Sequence, residues 1–301
     1  MTIYENISAN RRRTWLLMFL FIILVVGVVE IIALALGGGA YIAAIVGFVV
    51  GVIFILIGYY SASSLVLGIS QAKEVKHDEN PDLYHIVENL CIGAGLPVPK
   101  IYIIDDTAPN AFATGRDPQH AVVVVTSGLL QKMDKLELEG VIAHELSHIK
   151  NYDIRLMTVV VVLVGLVALL ADLMLRFTWF GAGRRPGNRG RGEGAVGAVI
   201  LIVAILAAIL APLAAQLIRF ALSRSREYLA DASGALLTRY PEGLARALEK
   251  IEADQEPLEV ANKATAHLYI ANPLKGHESW ANNLFSTHPP IEERIRRLRA
   301  M

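Results

Sequence analysis

Two histidines four residues apart, His144 and His148, stand in the stretch VIAHELSHIKNYD (141–153) with a glutamate directly after the first. On a helix, positions i and i+4 lie one above the other, so both imidazoles can aim a ring nitrogen at a single ion, and zinc suits them best. Glu145 is turned about 100° round the helix from His144, since a helix has 3.6 residues per turn, and its carboxylate falls beside the ion rather than on it. From there it can take a proton from water that zinc has made acidic and carry it to the amine released when a peptide bond breaks. The plain alternative is a surface helix whose histidines happen to fall four apart. Leu138, Val141, Ile142, Leu146 and Ile149 argue against it, because they form an apolar side that buries the helix and leaves the site lining a cleft.

A catalytic zinc normally takes three protein ligands, so one more must come from elsewhere. Glu227 and Asp231 are four apart in SRSREYLADASGA (223–235). Glu227 can be the third ligand, and Asp231, one turn on, can accept the free ring N–H of a ligating histidine and fix its tautomer. Taken by themselves, with Arg224 and Arg226 beside them, these residues fit a solvated salt-bridge face better. PNAFATG (109–115) reads as an edge strand that could hold an extended substrate, with Asn110 and Phe112 as candidate substrate-binding residues. An ordinary strand and turn is its alternative, with asparagine as the turn former. In STHPP (286–290), Pro289 and Pro290 stiffen the loop that carries His288. His288 is a candidate donor to the negative charge that develops on a carbonyl under attack, and a solvent-facing loop histidine is the alternative.

Something must hold these pieces, and the composition says what. Of the 301 residues 54% are hydrophobic and the mean hydropathy is +0.47, well above a soluble domain, while 28 basic residues balance 28 acidic ones, which argues against a nucleic-acid partner. The one cysteine, Cys91, cannot make an internal disulfide, so the polar parts need no oxidising compartment. Four apolar blocks, 15–36, 40–60, 156–175 and 195–217, are each long enough for a helix across a hydrocarbon layer of ~30 Å. The expected layout is a cytoplasmic N-terminus (1–14), a transmembrane hairpin (15–60), a first catalytic part (61–155), a second hydrophobic hairpin (156–222) with an Arg/Gly loop (176–194), and a second catalytic part (223–301). If Glu227 joins His148 on one ion the two share a compartment, and the second pair of blocks then crosses twice or not at all. Crossing twice puts an arginine-rich loop outside, against the positive-inside rule, and partial insertion of that pair is the alternative. Within the polar parts, Pro81–Cys91 and Lys135–Asn151 have helical spacing, the latter beginning near Asp134. Ile101–Ile104, Ala111–Thr114 and Ala121–Thr126 read as short strands, and the region from Ser223 on reads as mostly helical.

Over essentially its full length the chain resembles the HtpX family of membrane zinc endopeptidases, relatives of the CAAX prenyl endopeptidases. The likeness rests on the paired N-terminal spans, PNAFATG, HELSHIKNYD (144–153), the later hydrophobic pair, SREYLAD (225–231) and STHPPIEERI (286–295), in that order. It implies a multi-pass α-helical membrane protein with four membrane helices and a zincin-like α+β catalytic domain on the cytoplasmic side of the cell membrane. It implies one zinc per chain held by His144, His148 and Glu227, with Glu145 as base, and hydrolysis of misfolded or damaged membrane proteins in quality control under stress. The resemblance thus turns the reading of Glu227 from salt bridge to ligand. Cleavage inside the bilayer is a poorer fit, because DKLELEGVIAHELSHIKNYD (134–153) carries charge throughout. A non-catalytic scaffold with a structural metal has no use for Glu145.

Overall fold

Long apolar runs without proline fold here as long helices. A computed structural model describes residues 3–35, 39–182, 224–261, 265–274 and 289–301. The chain divides into two units, one of residues 1–12, 61–161 and 218–301, the other of 13–60 and 162–217. The first two helices are α1 (Ile3–Ala35) and α2 (Ala40–Ile69). The most apolar 18-residue stretch averages a hydropathy of 2.1 within Ile7–Glu30, a run of 24 residues, and 2.9 within α2, a run of 30. At 1.5 Å per residue the shorter run is about 36 Å long, enough to cross a bilayer core. In the second unit Trp15, Phe19, Tyr41, Phe48 and Tyr60 are exposed, large apolar groups that water would not favour and lipid would. Gly47 allows α2 against α1, since a Cβ there would lie 2.9 Å from the Cα of Val26, a small-residue contact of the kind membrane helices use.

The four-stranded sheet of the first unit has the order β1 (Lys73–Glu74), β2 (Lys100–Ile104), β4 (Ala121–Thr126), β3 (Ala111–Gly115). β2 and β4 are parallel and the outer pairs antiparallel, with Phe112 opposite Val124 and Ala113 opposite Val123. The β-branched runs set the strands as expected. Two short elements escape the pattern: β1 is only two residues long, and the serine and glycine after β4 begin a helix α4 (Ser127–Lys132) capped by the Thr126 side chain.

Before β2 comes α3 (Pro81–Ala94), opened by Asn80 and Pro81 and closed by Gly95 at φ 67°. After α4 comes α5 (Lys135–Lys150), which starts on a capping box: Asp134 accepts from Glu137 N–H at 2.9 Å and Glu137 accepts from Asp134 N–H at 2.8 Å. α6 (Asp153–Ala182) then leaves at an angle of 81°, with Tyr152 at φ 58° in the bend. α7 (Arg224–Thr238), α8 (Pro241–Ala253) and α9 (Ile291–Leu298) complete the described elements. α5 is the centre of the first unit, packed on β3 and β4 and against α3, α7 and α8. Twelve of its residues from Glu137 to Ile149 are buried, so α5 lies inside protein.

Two boundaries differ from expectation. α6 continues through Arg176 to Ala182, which were expected to belong to the Arg/Gly loop, because no strong helix breaker intervenes before the glycines. Residues 1–12, expected to stand apart, belong to the unit that carries the histidines. The rest of that loop, the block 195–217 and His288 lie outside the described residues. Among those described, two helices are long and apolar enough to cross a membrane, or three if the α5–α6 pair counts as one.

Candidate metal centre

The i, i+4 spacing on α5 stacks the two histidines edge to face, with ring centroids 4.7 Å apart and the two Nε2 atoms 3.2 Å apart. Each ring is held from behind. His144 Nδ1 lies 2.9 Å from Asp231 Oδ1, and His148 Nδ1 lies 3.0 Å from Asp153 Oδ2. A carboxylate only accepts, so both Nδ1 atoms donate and the two Nε2 atoms are left facing one another. At that distance they share a proton, or a metal ion lies between or beside them. Glu227, on α7, supplies the next donor: Oε1 is 3.5 Å from His148 Nε2 and Oε2 is 3.8 Å from His144 Nε2. One ligand atom from each of His144, His148 and Glu227 lies within 4.8 Å of the others.

These spacings test whether zinc fits. Tetrahedral zinc with ligands at about 2.0–2.1 Å sets its ligand atoms about 3.3 Å apart. The observed separations of 3.2, 3.5 and 3.8 Å lie close to that edge. Charge points the same way: four carboxylates, Glu145, Asp153, Glu227 and Asp231, are buried with two guanidinium groups, Arg226 and Arg294. Two nitrogens, a carboxylate and an excess of negative charge suit a divalent cation.

Local packing explains how α7 comes so near. A Cβ on Gly234 would lie 3.1 Å from the backbone nitrogen of His144, so any larger residue would hold the helices apart. Glu227 and Asp231 are therefore buried rather than on a solvated face, and the partner of Asp231 is Arg294 of α9 rather than the neighbouring arginines. Arg294 donates to both Asp231 oxygens at 2.8 and 2.7 Å and to the Ile270 carbonyl at 2.9 Å, and its Nη1 stands 3.8 Å from Glu227. Asp231, expected to support one or other ligating histidine, lies behind His144.

The electrostatics follow from burial and from these partners. Burial pushes the Glu145 carboxyl up, to about 7, against the opposing charge of His148. Burial pushes His148 down, but its bond to Asp153 and the charges of Glu227, Asp153 and Glu145 outweigh that and raise it to about 9. His144 is lowered by burial, with Asp231 opposing. Asp231 would rise on burial, and the Arg294 charge and the His144 bond hold it down at about 2.

β3 passes beside α5, and the Ala113 backbone is the smallest of the influences that lower the Glu145 carboxyl. Ala111, Ala113 and Gly115 turn their backbone groups to the outer edge of the sheet. Ala111 O accepts from Ile270 N–H at 2.9 Å, and Gly115 N–H donates to Thr158 Oγ1 at 3.2 Å. Although β3 is the edge strand expected, it meets the chain's own groups at two of its three outward positions, Ala111 and Gly115. The Asn110 side chain donates to the Ala271 carbonyl at 3.2 Å and accepts from Ala111 N–H at 3.1 Å, and both it and Phe112 are buried. Phe112 packs edge to face on Tyr269 at 4.9 Å. Expected to touch substrate, both side chains instead fix β3, because a strand lined on both faces by core leaves them nowhere else to point.

Sequence reasoning missed Asp153 and the supporting role of Arg294. Both lie inside the quoted motifs, but Asp153 falls beyond the end of α5, and only the bend at Tyr152 brings it back beneath His148.

Residues 77–301 match the profile of Peptidase family M48. The chain is 51% identical over 300 residues to a protein named Protease HtpX homolog from Dictyoglomus thermophilum, covering 100% of this chain and 95% of that one. It is 43% identical over 300 residues to a protein of the same name from Lactobacillus helveticus, covering 99% and 100%. A crystal structure of S. mikatae Ste24p aligns at 19% identity with a TM-score of 0.49, over 98% of this chain and 67% of that one.

Proposed function

The chain belongs to the HtpX branch of peptidase family M48 and is a membrane metalloprotease, and from that membership we propose that it is a zinc endopeptidase whose site faces the cytoplasm and cleaves misfolded or damaged membrane proteins. His144, His148 and Glu227 hold the ion, Asp231 and Asp153 orient the two imidazoles, and Glu145 is the base. The observation that carries this reading is the convergence of three buried donor atoms within 4.8 Å, both histidines turned the same way by carboxylates behind them. The sheet with the HExxH helix packed against it supports a zincin-like arrangement, with four membrane helices in all.

When bound, zinc supplies Lewis acidity to a water and to the substrate carbonyl. Glu145 accepts a proton from the attacking water as the water oxygen bonds to the carbonyl carbon. It then gives that proton to the amine nitrogen as the C–N bond breaks, leaving an acid and an amine. A carboxyl that burial holds near 7 suits both halves of that exchange, and the adjacent cation favours its ionised form. His288 contributes a donor to the oxyanion, and the buried Asn110 and Phe112 hold the strand that seats Glu145. The cytoplasmic assignment rests on Arg11, Arg12, Arg13, Lys73, Lys76 and Lys150 falling on one side.

The test uses the full chain in detergent with an unfolded protein as substrate. Cleavage should stop with a chelator and return with zinc, and Glu145→Gln should keep one zinc per chain while losing about 10²–10⁴-fold in turnover. Near-normal turnover by Glu145→Gln would end the proposal.

A further inference from the structure

Ahead of the first apolar block, and within α1, Asn10 is 2% exposed. Its amide nitrogen donates to Asp153 Oδ1 at 2.7 Å and to the Asn151 carbonyl at 3.0 Å, and its amide oxygen accepts from Arg226 Nη1 at 3.0 Å. The other oxygen of Asp153 receives His148 Nδ1 at 3.0 Å. All five residues belong to the same unit. From this chain of contacts we propose that Asn10 is a positioning residue of the metal centre, acting on His148 through Asp153, so that the segment before the first span is part of the site. The inference rests on the reading of His148 as a ligand.

An amide is the group this position needs. It must donate to a carboxylate and a carbonyl on one side and accept from a guanidinium on the other. Aspartate there would set two carboxylates 2.7 Å apart, and an apolar residue would leave the Asn151 carbonyl and Asp153 Oδ1 without that donor in a buried place. Arg226 Nε already stands 3.7 Å from the same Oδ1. Without Asn10 the carboxylate turns toward that charge and carries Oδ2 away from His148. The imidazole then loses the bond that fixes its tautomer and its aim. Groups that hold a ligating histidine in this way are typically worth about 10–100-fold in metal affinity.

Zinc affinity of the full chain in detergent, measured by competition with a chelator, decides the matter. His148→Ala serves as control for the site itself, and if it keeps wild-type affinity the metal reading fails first. With that control low, Asn10→Ala should bind zinc about 10–100-fold more weakly. Asp153→Ala should lose at least as much, and the double variant no more than Asp153→Ala alone, since both act through one contact. A purely structural asparagine predicts losses that add. Asn10→Leu, which keeps the buried volume, should fall with Asn10→Ala. Wild-type zinc affinity in either Asn10 variant, additive losses, or failure of both variants to fold under saturating zinc would overturn the proposal.

Discussion

Replacing Arg294 by methionine removes the guanidinium that faces Asp231 and should destabilise the unit that carries the site. Arg294 has no exposed surface and gives Nε and Nη2 to the two oxygens of Asp231. With His144 it holds that carboxyl at about 2 against an ordinary value of 3.8, although burial pushes the other way. Nearly two pH units at 1.36 kcal/mol each come to about 2–3 kcal/mol, present above about pH 4 and lost as pH falls toward 2, because the folded value is the depressed one. Stranding a buried charge by deleting its partner costs about 3–5 kcal/mol, so the two routes meet near 3. With a urea slope of about 1–3 kcal/mol per molar, the midpoint should fall by about 1–3 M. The assay is pulse proteolysis across a urea series, on zinc-stripped protein in detergent. Adding Asp231→Asn to Arg294→Met should recover part of the loss, since it removes the stranded charge. A midpoint that stays put while turnover collapses would mean that Arg294 serves the reacting carbonyl and that its bonds to Asp231 are incidental.

Glu227→Ala should lose zinc as severely as His148→Ala, each removing one of three ligands, and an unchanged zinc content measured by metal analysis would restore the salt-bridge reading. Zinc must displace the proton that His148 holds up to about 9, so affinity by chelator competition should rise about tenfold per unit from pH 7 to 9 and then flatten. In stripped protein that raised value stabilises most below about pH 6.5, and the contribution is lost as pH climbs through 9. His288→Ala should keep zinc and fold but lose about 10²–10³-fold in turnover with little change in KM; zinc lost together with activity would make it a ligand. A cysteine at Gly187 should react with an impermeant reagent only from outside, and inside-only labelling would mean that the second hairpin does not cross.

Local patterns were legible where the signal is local. The histidine pair, the Asp134 start of α5 and the three β-branched strands all depend on neighbours within a turn or two, and each appears within a few residues of its expected place. Asp231 was legible for the same reason, one turn from Glu227. What stays hidden in sequence is which face of an element becomes covered. Glu227 and Asp231 beside two arginines look solvated until Gly234 brings α7 onto the backbone of His144. Asn110 and Phe112 look available until the Ala271 carbonyl and Tyr269 occupy them. Asn10 lies 143 residues from Asp153, and no periodicity links an asparagine ahead of a hydrophobic run to a residue just past a helix bend.

The two histidines are supported in the same way from opposite ends of the chain. His148 leans on Asp153, which Asn10 of α1 holds, and His144 leans on Asp231, which Arg294 of α9 holds. Neither support exists until its distant partner has packed, and Glu227 reaches the pair only once α7 lies against α5. The proposed ligand set is therefore an outcome of folding rather than a property of the HELSH helix alone. The folded protein by itself answers its buried negative charge by keeping a proton on His148. A divalent cation that takes the place of this proton draws together α5, α6 and α7, and through their carboxylates α1 and α9. By linkage its binding energy becomes stability of the unit, so loss of metal should loosen the N-terminal and C-terminal helices together rather than only the loop nearest the ion.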